Sequence, residues 1–462
     1  DLKTIKHVHF IGIGGIGISA IARMMLGEGK KVSGQDMEDS EIIAELRKVG
    51  ADIAIGQSFE SIPADADLIV YTIAIENYDP KLFAQLKEQS IPIHSYPEML
   101  SIVTGGKYTI AVAGTHGKTT TTAMIAGILR DAKKDPTVIV GSLIKTEHQS
   151  ENSSRVGAPG ERVKREDFHS GAESTNFIAG QSNLFLVEAC EYRRSFLNIN
   201  PNILVITNID EDHLDYYKDI ADIKSAFREL AMKVPADGFV VCDPSDENIA
   251  DVVVDINAKV INYQDFFNPS IKLKVPGIHN KKDAAAAFAV ASVLAVSYTD
   301  ANTSLESFPG TWRRFEYKGK TSNGVLVYDD YAHHPVEIVA TLSGFRELYP
   351  KADGWNITVV FQPHLFSRTK LLLADFAKSF SDADAAVLLP IYHAREEDDG
   401  TVSSEVLATE INKNGGNAQA FTDFASAEKY LDIWLASMNN KDIIVTMGAG
   451  EAWKVGDNIL RK

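Results

Sequence analysis

The segment Gly114-Thr-His-Gly-Lys-Thr-Thr120 constrains the fold of this chain more than any other segment. Residues 108–113 before it form a short apolar run that predicts a buried parallel strand, and residues 123–129 after it have helical spacing. The two glycines let backbone amides close around a polyphosphate, and the new helix directs free N–H groups at it. We therefore predict a phosphate-binding loop at a strand-to-helix junction.

The side chains of this loop suit a nucleotide with Mg²⁺. Lys118 can reach the β- and γ-phosphates, and a threonine hydroxyl after it can ligate the metal ion. The strict G-x-x-x-x-G-K-[ST] spacing fails, because Val112 lies five residues before Gly117. The alternative is a Gly/Thr-rich turn that caps a helix, but it leaves Gly-Lys-Thr-Thr unexplained. The segment thus favours a nucleotide site.

Length and charge limit the classes of protein that fit. The 462 residues exceed one compact core and predict two to four domains. A formal net charge of −17 argues against binding to nucleic acid or to anionic membranes. Cys190 and Cys242 cannot form a disulfide framework, and the sequence contains neither a run of about 18 apolar residues nor a signal-peptide segment. We expect a cytoplasmic protein.

Alternating predicted strands and helices divide the chain into three α/β modules. We place them at residues 1–105, 106–307 and 308–462. The first is predicted to be a doubly wound, Rossmann-like parallel sheet, and the second a P-loop ATPase domain. The polar stretch 147–174, rich in Gly, Ser and charge, is predicted to be a long surface loop.

A second glycine loop lies near the start of the chain. Gly12, Gly14 and Gly17 satisfy G-x-G-x-x-G between a strand and a helix, and Asp36 follows about 20 residues on. This loop fits NAD, but it would hold the diphosphate of any nucleotide-linked ligand equally well. An NAD-dependent dehydrogenase has no use for the phosphate loop at 114–120. The two loops together favour an ATP-driven enzyme with a nucleotide-carried substrate.

Polar residues follow two predicted strands of the second module. Because the carboxyl ends of parallel strands line the ligand crevice, Glu188 and the segment 208–213 should face the phosphate loop. Glu188 is a candidate for binding Mg²⁺ or positioning a nucleophile, whereas Glu191 is interpreted as a solvated charge. His213 stays open between a structural and a metal-binding role, because Mg²⁺ prefers oxygen ligands.

The third module carries the polar run 329–335, Asp-Asp-Tyr-Ala-His-His-Pro, at the end of a predicted strand. No third and fourth ligand is spaced for a metal at the histidine pair, so we interpret the run as a phosphate or substrate contact from another domain. The pair Arg313-Arg314 either clamps phosphates or is an ordinary surface feature.

Several motifs together resemble the Mur ligase family of peptidoglycan synthesis over nearly the whole chain. They are His9-Phe-Ile-Gly-Ile-Gly-Gly-Ile-Gly17, Gly114-Thr-His-Gly-Lys-Thr-Thr-Thr-Thr122, Asp212-His-Leu-Asp215, His279-Asn280, Arg313-Arg314-Phe315, Tyr328-Asp-Asp-Tyr-Ala-His-His-Pro335, Phe361-Gln-Pro-His364, Ser367-Arg-Thr369 and 391–397. The first and the Asp-Asp-Tyr-x-His-His-Pro run are most similar to members that add L-alanine. The resemblance implies a UDP-binding Rossmann-like domain, a central ATPase domain and a C-terminal domain similar to a dinucleotide-binding fold.

By position, the resemblance implies a set of contacts for each ligand. For the UDP-linked substrate they are Gly12, Gly14, Gly15, Gly17, Thr72 and, at the uridine end, Asp36. For ATP they are Gly114, Thr115, His116, Gly117, Lys118, Thr119, Thr120, Asn280 at the adenine, and Arg314 and Asp330 from across a domain boundary. For Mg²⁺ they are Thr119, Glu188 and, at a second ion, His213; for the amino acid they are Tyr331, His364 and Arg368. The implied catalytic group is Lys118, Glu188, His213, Arg314 and Asp330.

The implied activity is ATP-dependent ligation of L-alanine to UDP-N-acetylmuramate. ATP would phosphorylate the lactyl carboxylate, and the amine of L-alanine would displace phosphate from the acyl phosphate. The alternatives are a ligase that recycles a preformed murein peptide onto the same sugar nucleotide, and a nucleotide switch without bond formation, which leaves the run 329–335 unused. We expect a monomer or a weak homodimer.

Three sites depart from the family pattern. The run from Glu188 reads Glu-Ala-Cys-Glu-Tyr-Arg-Arg where Glu-Ala-Asp-Glu-Ser-Asp is usual, and Asp283 stands where Asn is usual. Leu365 replaces an Arg expected after Phe-Gln-Pro-His. This last change removes a candidate clamp for the carboxylate of the amino acid, and it keeps the recycling alternative open.

Overall fold

The computed structural model describes residues 2–145, 174–393, 396–398 and 400–461. These residues form three β-sheets with helices between the strands. The chain divides into two compact units, one of residues 1–268 with 282–307 and one of residues 269–281 with 308–462. The predicted surface loop at 147–174 lies outside the described residues except for Ser174. The module boundaries after residues 105 and 307 stay predictions.

A five-stranded parallel sheet opens the first unit. Its strands are β1 (His7–Ile11), β2 (Lys31–Asp36), β3 (Asp52–Ile55), β4 (Leu68–Tyr71) and β5 (Ile93–Ser95). Its helices are α1 (Ile16–Gly27), α2 (Glu41–Lys48), α3 (Ile75–Tyr78), α4 (Pro80–Glu88) and α5 (Tyr96–Thr104). The strand order β3-β2-β1-β4-β5 confirms the doubly wound sheet, and the strand order reverses beside β1. Such sheets bind ligands at that switch point.

The second sheet of the first unit has seven strands. They are β6 (Tyr108–Ala113), β7 (Thr137–Lys145), β8 (Ser174–Ile178), β9 (Leu184–Glu188), β10 (Ile203–Ile206), β11 (Phe239–Cys242) and β12 (Lys259–Asn262). The helices are α6 (Lys118–Asp131), α7 (Ile220–Met232), α8 (Glu247–Ala250), α9 (Ile278–Val293) and α10 (Tyr298–Ser307), and the first four residues of α9 belong to the second unit. The order is β12-β11-β10-β6-β9-β7-β8, with β8 antiparallel to β7. The strand that precedes the phosphate loop, β6, is therefore central.

The second unit contains a six-stranded sheet. Its strands are β13 (Glu316–Lys320), β14 (Leu326–Asp330), β15 (Asn356–Phe361), β16 (Ala385–Leu388), β17 (Ala418–Ala420) and β18 (Asp442–Met447). Its helices are α11 (Pro335–Leu348), α12 (Phe366–Leu371), α13 (Leu373–Ser379), α14 (Ser404–Lys413), α15 (Phe424–Leu435) and α16 (Trp453–Leu460). The order is β13-β14-β18-β15-β16-β17, and β13 alone pairs antiparallel among these described strands.

Local chemistry explains where helices begin. Ser95 Oγ accepts from Glu98 N and the Glu98 carboxylate accepts from Ser95 N, a capping box that starts α5. Asp219 caps α7 in the same sense, by accepting from Asp222 N. The central strand β18 is buried on both faces, because its neighbouring residues Ile443 and Ile444 belong to different hydrophobic clusters. Within the described residues, the helices are all too short or too polar to cross a bilayer.

Candidate active site

The phosphate loop lies between β6 and α6, where the sequence predicts it. Gly114 has φ +141° and Gly117 has φ +81°, backbone conformations that residues with a Cβ rarely adopt. The segment after β10 fastens the loop, because Thr115 N donates to Asn208 O at 3.1 Å and His116 N donates to Asn208 Oδ1 at 2.9 Å. The segment at Asn208 therefore holds the loop in place. The first N–H groups of α6 have no acceptor within their own helix.

Lys118 is the first residue of α6, and its ammonium is held inside the loop. Nζ donates to Gly114 O at 2.5 Å and to Thr115 O at 3.0 Å, and it lies 2.9 Å from Glu191 Oε2. Burial by itself lowers the pKa of a lysine, but the nearby acidic groups, Glu191 above all, outweigh burial and raise the pKa of Lys118. Lys118 therefore carries its positive charge where a nucleotide phosphate would need it.

Glu191 was predicted to be solvated, and that prediction is wrong, because the residue is 2% exposed. The sequence could not show that Lys118 reaches across the sheet edge and neutralises it. Burial by itself raises the pKa of a carboxyl group, but Lys118 and His213 lower the pKa of Glu191 below its usual value. The sequence did hold one sign of its burial: Glu191 lies three residues after Glu188, at the carboxyl end of the strands that carries the phosphate loop.

Thr119 and Glu188, two predicted Mg²⁺ ligands, lie side by side. Thr119 Oγ1 donates to Glu188 Oε1 at 2.8 Å, and Glu188 Oε2 accepts from Gly141 N at 2.6 Å. Hydroxyl and carboxylate oxygens are donors that suit Mg²⁺. Across the described ranges, no three His, Cys, Asp or Glu side chains form a metal cage.

His213 joins the same cluster through Glu191. Its backbone is left-handed, with φ +54°, and its Nε2 lies 3.6 Å from Glu191 Oε1. The Tyr192 ring packs on the imidazole with centroids 4.8 Å apart, and the Tyr217 hydroxyl donates to Glu191 O. The predicted residues Lys118 and His213 are therefore linked by one buried carboxylate.

The N-terminal glycine loop lies between β1 and α1. Gly12 has φ +75°, and a Cβ there would lie 2.4 Å from the Thr72 methyl group. A Cβ on Gly17 would lie 2.6 Å from the Tyr96 ring, and Gly15 is the N-cap of α1. The glycines thus let the loop pack closely against two neighbours and leave its backbone open to a ligand.

Asp36 acts on this loop directly. Its Oδ2 accepts from Gly14 N at 2.7 Å, and its Oδ1 accepts from Met37 N at 2.8 Å. The structure therefore brings Asp36, Gly12, Gly14, Gly15, Gly17 and Thr72 into one loop region. The contact of Asp36 with uridine stays a prediction.

In the second unit, Asp330 ends β14 and is buried. It accepts from Phe315 N at 2.7 Å and from Ala332 N at 2.8 Å. Burial raises the pKa of Asp330 to about 6, although Arg314 opposes the shift. The Arg314 guanidinium lies 5.1 Å from the centroid of the Tyr331 ring. Three residues predicted to contact ligands are therefore neighbours.

The predicted amino-acid contacts also lie close together. The His333 ring is 5.3 Å from the Tyr331 ring and 5.8 Å from the His364 ring, between centroids. Arg368 Nη1 lies 3.3 Å from His364 Nδ1. Leu365, in contrast, is 4% exposed with φ +70°, so the side chain at the departing position is buried. The role of this cluster in binding an amino acid stays a prediction.

Arg313 differs from its neighbour in the pair Arg313-Arg314. It is 4% exposed and fully engaged: Nε donates to Asp329 Oδ2 at 2.7 Å, Nη1 to Gly450 O at 3.1 Å and Nη2 to Gly448 O at 2.6 Å. The interpretation of the pair as a phosphate clamp is therefore wrong for Arg313, because the strand ends of its own sheet use its donors.

Two further residues complete the picture. Asn280 is buried, with its Nδ2 donating to Pro276 O at 2.5 Å. Asp283 lies against the phosphate loop, since a Cβ on Gly117 would come within 2.4 Å of Asp283 Oδ1. The sequence marked Asp283 as a departure, and its position beside the loop was not predicted.

Three family models match the chain. They are "Mur ligase family, catalytic domain" at residues 7–108, "Mur ligase middle domain" at residues 112–265 and "Mur ligase, glutamate ligase domain" at residues 313–450. Together they span all three sheets. They confirm the family that the motifs indicated.

Curated relatives match over the full length. A UDP-N-acetylmuramate–L-alanine ligase of Clostridium kluyveri is 39% identical and one of Clostridium acetobutylicum is 40% identical. Each match covers 100% of this chain and 99% of the relative.

Solved structures agree on the fold. A UDP-N-acetylmuramate-alanine ligase of Thermotoga maritima matches with a TM-score of 0.76 and 27% identity over 98% of both chains. A murein peptide ligase of Psychrobacter arcticus matches with a TM-score of 0.69 over 99% of this chain and 98% of that chain, at 22% identity. The second match shows the fold alone.

Proposed function

The chain belongs to the Mur ligase family of ATP-dependent ligases, and we propose that it joins L-alanine to UDP-N-acetylmuramate while ATP is converted to ADP and phosphate. Relatives of that name align over the full length at 39% and 40% identity. The observation in the structure that carries the proposal is the contact of Lys118 with Glu191 beside the Thr119–Glu188 pair. That arrangement has the charge and the oxygen donors that phosphoryl transfer from ATP requires.

The N-terminal glycine loop would hold the diphosphate of the sugar nucleotide. Backbone N–H groups after Gly12 and the N-terminus of α1 provide donors without a formal charge. Asp36 would shape the loop through Gly14 N, and Thr72 would line it.

ATP would lie at the second loop. Lys118 would exchange part of its contact with Glu191 for the β- and γ-phosphates, and Thr119 and Glu188 would hold Mg²⁺, with His213 at a second ion. Bound Mg²⁺ neutralises phosphate charge and orients the γ-phosphate. We propose that Asn280 contacts the adenine and that Arg314 and Asp330 contact ATP.

The chemistry then runs in two steps. A lactyl carboxylate oxygen attacks the γ-phosphorus, the bond to the β-phosphate oxygen breaks, and ADP leaves with the electron pair. The ammonium group of L-alanine loses one proton, and its amine nitrogen attacks the acyl carbon. Phosphate then leaves from the tetrahedral intermediate with the electron pair of its bond to carbon, and the nitrogen loses a second proton to solvent to give the amide. Lys118 would stabilise charge in the first step, and Tyr331, His364 and Arg368 would position the amino acid for the second. Closing the site would keep water from the acyl phosphate.

The test is release of ADP from ATP and Mg²⁺ in the presence of UDP-N-acetylmuramate. The acceptors to compare are L-alanine, glycine, L-serine and the alanyl-glutamyl-diaminopimelate tripeptide. We expect release that requires the sugar nucleotide and is fastest with L-alanine. Faster release with the tripeptide would favour recycling instead, and release independent of any acceptor would contradict a ligase.

The recycling alternative has weaker support. Its sequence argument is the loss of an arginine at position 365, where Leu365 is buried. The full-length relatives at 39% and 40% identity also carry the name of the alanine-adding ligase.

A further inference from the structure

The run Tyr-Arg-Arg after Glu191 has an unusual backbone. Arg193 has φ +52° and ψ 30°, and Arg194 has φ +55° and ψ 25°. Residues other than glycine rarely adopt this conformation, and each instance persists only where surrounding contacts hold it in place. Two such residues in sequence indicate that the directions of both side chains matter.

The two arginines are held by different parts of the first unit. Arg194 Nη2 donates to Asp222 Oδ1 at 2.7 Å and to Ser225 Oγ at 2.9 Å, both on α7. Arg193 extends instead to the segment after β4. Its Nη1 donates to Ile73 O in the loop at 3.4 Å, and its Nη2 lies 3.1 Å from Glu76 Oε2 on α3. The turn thus carries a guanidinium from the seven-stranded sheet to the N-terminal sheet.

Arg193 connects two segments that lie next to the proposed ligand loops. Ile73 follows Thr72, whose methyl group lies against Gly12 of the diphosphate loop. On the other side, Arg193 is two residues after Glu191, which holds Lys118. Arg193 therefore joins a segment next to the diphosphate loop to a segment next to the phosphate loop.

The side chain of Arg193 can still take a ligand. It is 29% exposed, and its described contacts use one carboxylate oxygen and one carbonyl oxygen. A guanidinium has five N–H donors in a planar fork, which suits bidentate binding of a carboxylate.

We propose that Arg193 binds the lactyl carboxylate of the sugar nucleotide and selects it over sugar nucleotides that lack a carboxylate. The proposal rests on the function proposed above. In the absence of substrate, Glu76 and Ile73 O keep the guanidinium at the edge of the diphosphate loop. With substrate, the remaining donors orient the carboxylate toward the phosphate loop that contains Lys118.

Calorimetry without ATP tests this directly. UDP-N-acetylmuramate and UDP-N-acetylglucosamine, which lacks the lactyl group, are titrated into wild type, Arg193→Ala, Arg193→Lys and Arg228→Ala. The last is a charge-matched control, because Arg228 donates to backbone carbonyls at Asp251, Val252 and Val254. We expect Arg193→Ala to weaken binding of UDP-N-acetylmuramate about 10- to 100-fold, leaving UDP-N-acetylglucosamine within twofold or so.

Arg193→Lys keeps the charge but lacks the planar fork of the guanidinium. On a logarithmic scale, its loss of affinity for UDP-N-acetylmuramate should be about half that of Arg193→Ala. If Arg193→Ala does not fold, Arg193→Lys still tests the selectivity for UDP-N-acetylmuramate over UDP-N-acetylglucosamine. Equal losses for both nucleotides would overturn the proposal, because Arg193 would then act on the diphosphate or tie the two loops. Unchanged binding of UDP-N-acetylmuramate by Arg193→Ala would overturn it as well. Failure of the wild type to bind UDP-N-acetylmuramate would instead refute the proposed function and this proposal with it.

Discussion

The two glycine loops of the first unit have the same strand–loop–helix geometry and different chemical neighbours. In the loop after β1, a carboxylate accepts from the backbone, Asp36 from Gly14 N. In the loop after β6, a charged Lys118 is held by Glu191, and Thr119 by Glu188. Backbone amides and a helix N-terminus suffice to bind a diphosphate, whereas phosphoryl transfer also needs positive charge and metal ligands. Under the proposed function, the same strand–loop–helix geometry would serve two different tasks.

The surroundings of the first glycine also differ between the two loops. A Cβ on Gly12 would meet a methyl group of Thr72, but a Cβ on Gly114 would lie 1.9 Å from Thr207 Oγ1 and 3.1 Å from Thr207 N. Thr207 Oγ1 donates to His116 O at 2.6 Å, so it is part of the loop's own polar network. A Cβ at the first glycine of the loop predicted to bind ATP would therefore disturb a polar network, which a Cβ on Gly12 would not.

Lys118→Ala should have the largest effect. We expect kcat to fall about 10³-fold or more, because the developing phosphate charge loses its lysine, while Kd for UDP-N-acetylmuramate changes by less than about twofold. Steady-state kinetics and calorimetry measure the two quantities.

Removing Lys118 also leaves Glu191 buried without its ionic partner, which costs stability. The double variant Lys118→Ala/Glu191→Gln is the control, and it should recover the melting temperature without recovering kcat. A loss of UDP-N-acetylmuramate affinity as large as the loss of kcat would show that the two loops are not separate sites.

Gly114→Ala compared with Gly12→Ala tests whether the Thr207 network adds to the cost of a Cβ in the loop after β6. Both place a Cβ at positive φ, but only the first displaces a hydrogen-bonded hydroxyl, so we expect losses of about 3 and about 1 kcal/mol in the free energy of unfolding. Thermal and urea unfolding of each variant, against wild type, give the values. Equal losses would mean that backbone strain alone decides the cost and that the Thr207 network adds nothing.

The sequence predicted what depends on local pattern. Apolar runs indicated several strands of both sheets in the first unit, β6 among them, and glycine spacing indicated both loops, because these signals lie within a few residues of each other. Glu188 was placed beside the loop by a general rule about the ends of parallel strands. Its contact with Thr119 follows from that rule.

The failures concern charges whose partners are distant in sequence. Glu191 is buried because Lys118, 73 residues earlier, neutralises it, and Arg313 is buried because strand ends near residue 450 accept from it. The local sequence around a charged residue is the same whether or not a distant partner neutralises it, so the sequence alone does not predict its burial. For Leu365, the sequence showed the substitution but not the left-handed backbone or the buried side chain at the start of α12.

Asp36→Ala should have an intermediate effect, confined to the N-terminal loop. Losing the acceptor for Gly14 N should weaken UDP-N-acetylmuramate binding about tenfold and leave KM for ATP within about twofold. Asp36→Asn keeps one acceptor oxygen and serves as the matched control, with a smaller loss. If calorimetry gives an unchanged Kd for Asp36→Ala, Asp36 does not define the loop. A raised KM for ATP would mean that the loops are coupled.

Asn176→Ala should have the smallest effect and examines how the N-terminal loop is held. Asn176, on β8, is fully buried, and its Nδ2 donates to Ile16 O and to Ser19 Oγ in the first turn of α1. This contact fixes the helix N-terminus next to the diphosphate loop from the seven-stranded sheet. We expect a loss of about 1–2 kcal/mol in the free energy of unfolding and a two- to fivefold rise in Kd for UDP-N-acetylmuramate, with ATP binding unchanged.

Ser19→Ala provides the second arm of a double-mutant cycle with Asn176→Ala. The cycle should give a coupling of about 0.5–1 kcal/mol in stability, since the two side chains share one hydrogen bond. A coupling near zero, with Kd unchanged in both single variants, would show that the N-terminal loop needs no support from the other sheet. The loop after β6 would then be the one fastened by a distant strand segment, through Asn208, and the difference between the two loops would extend from their chemistry to their mechanical support.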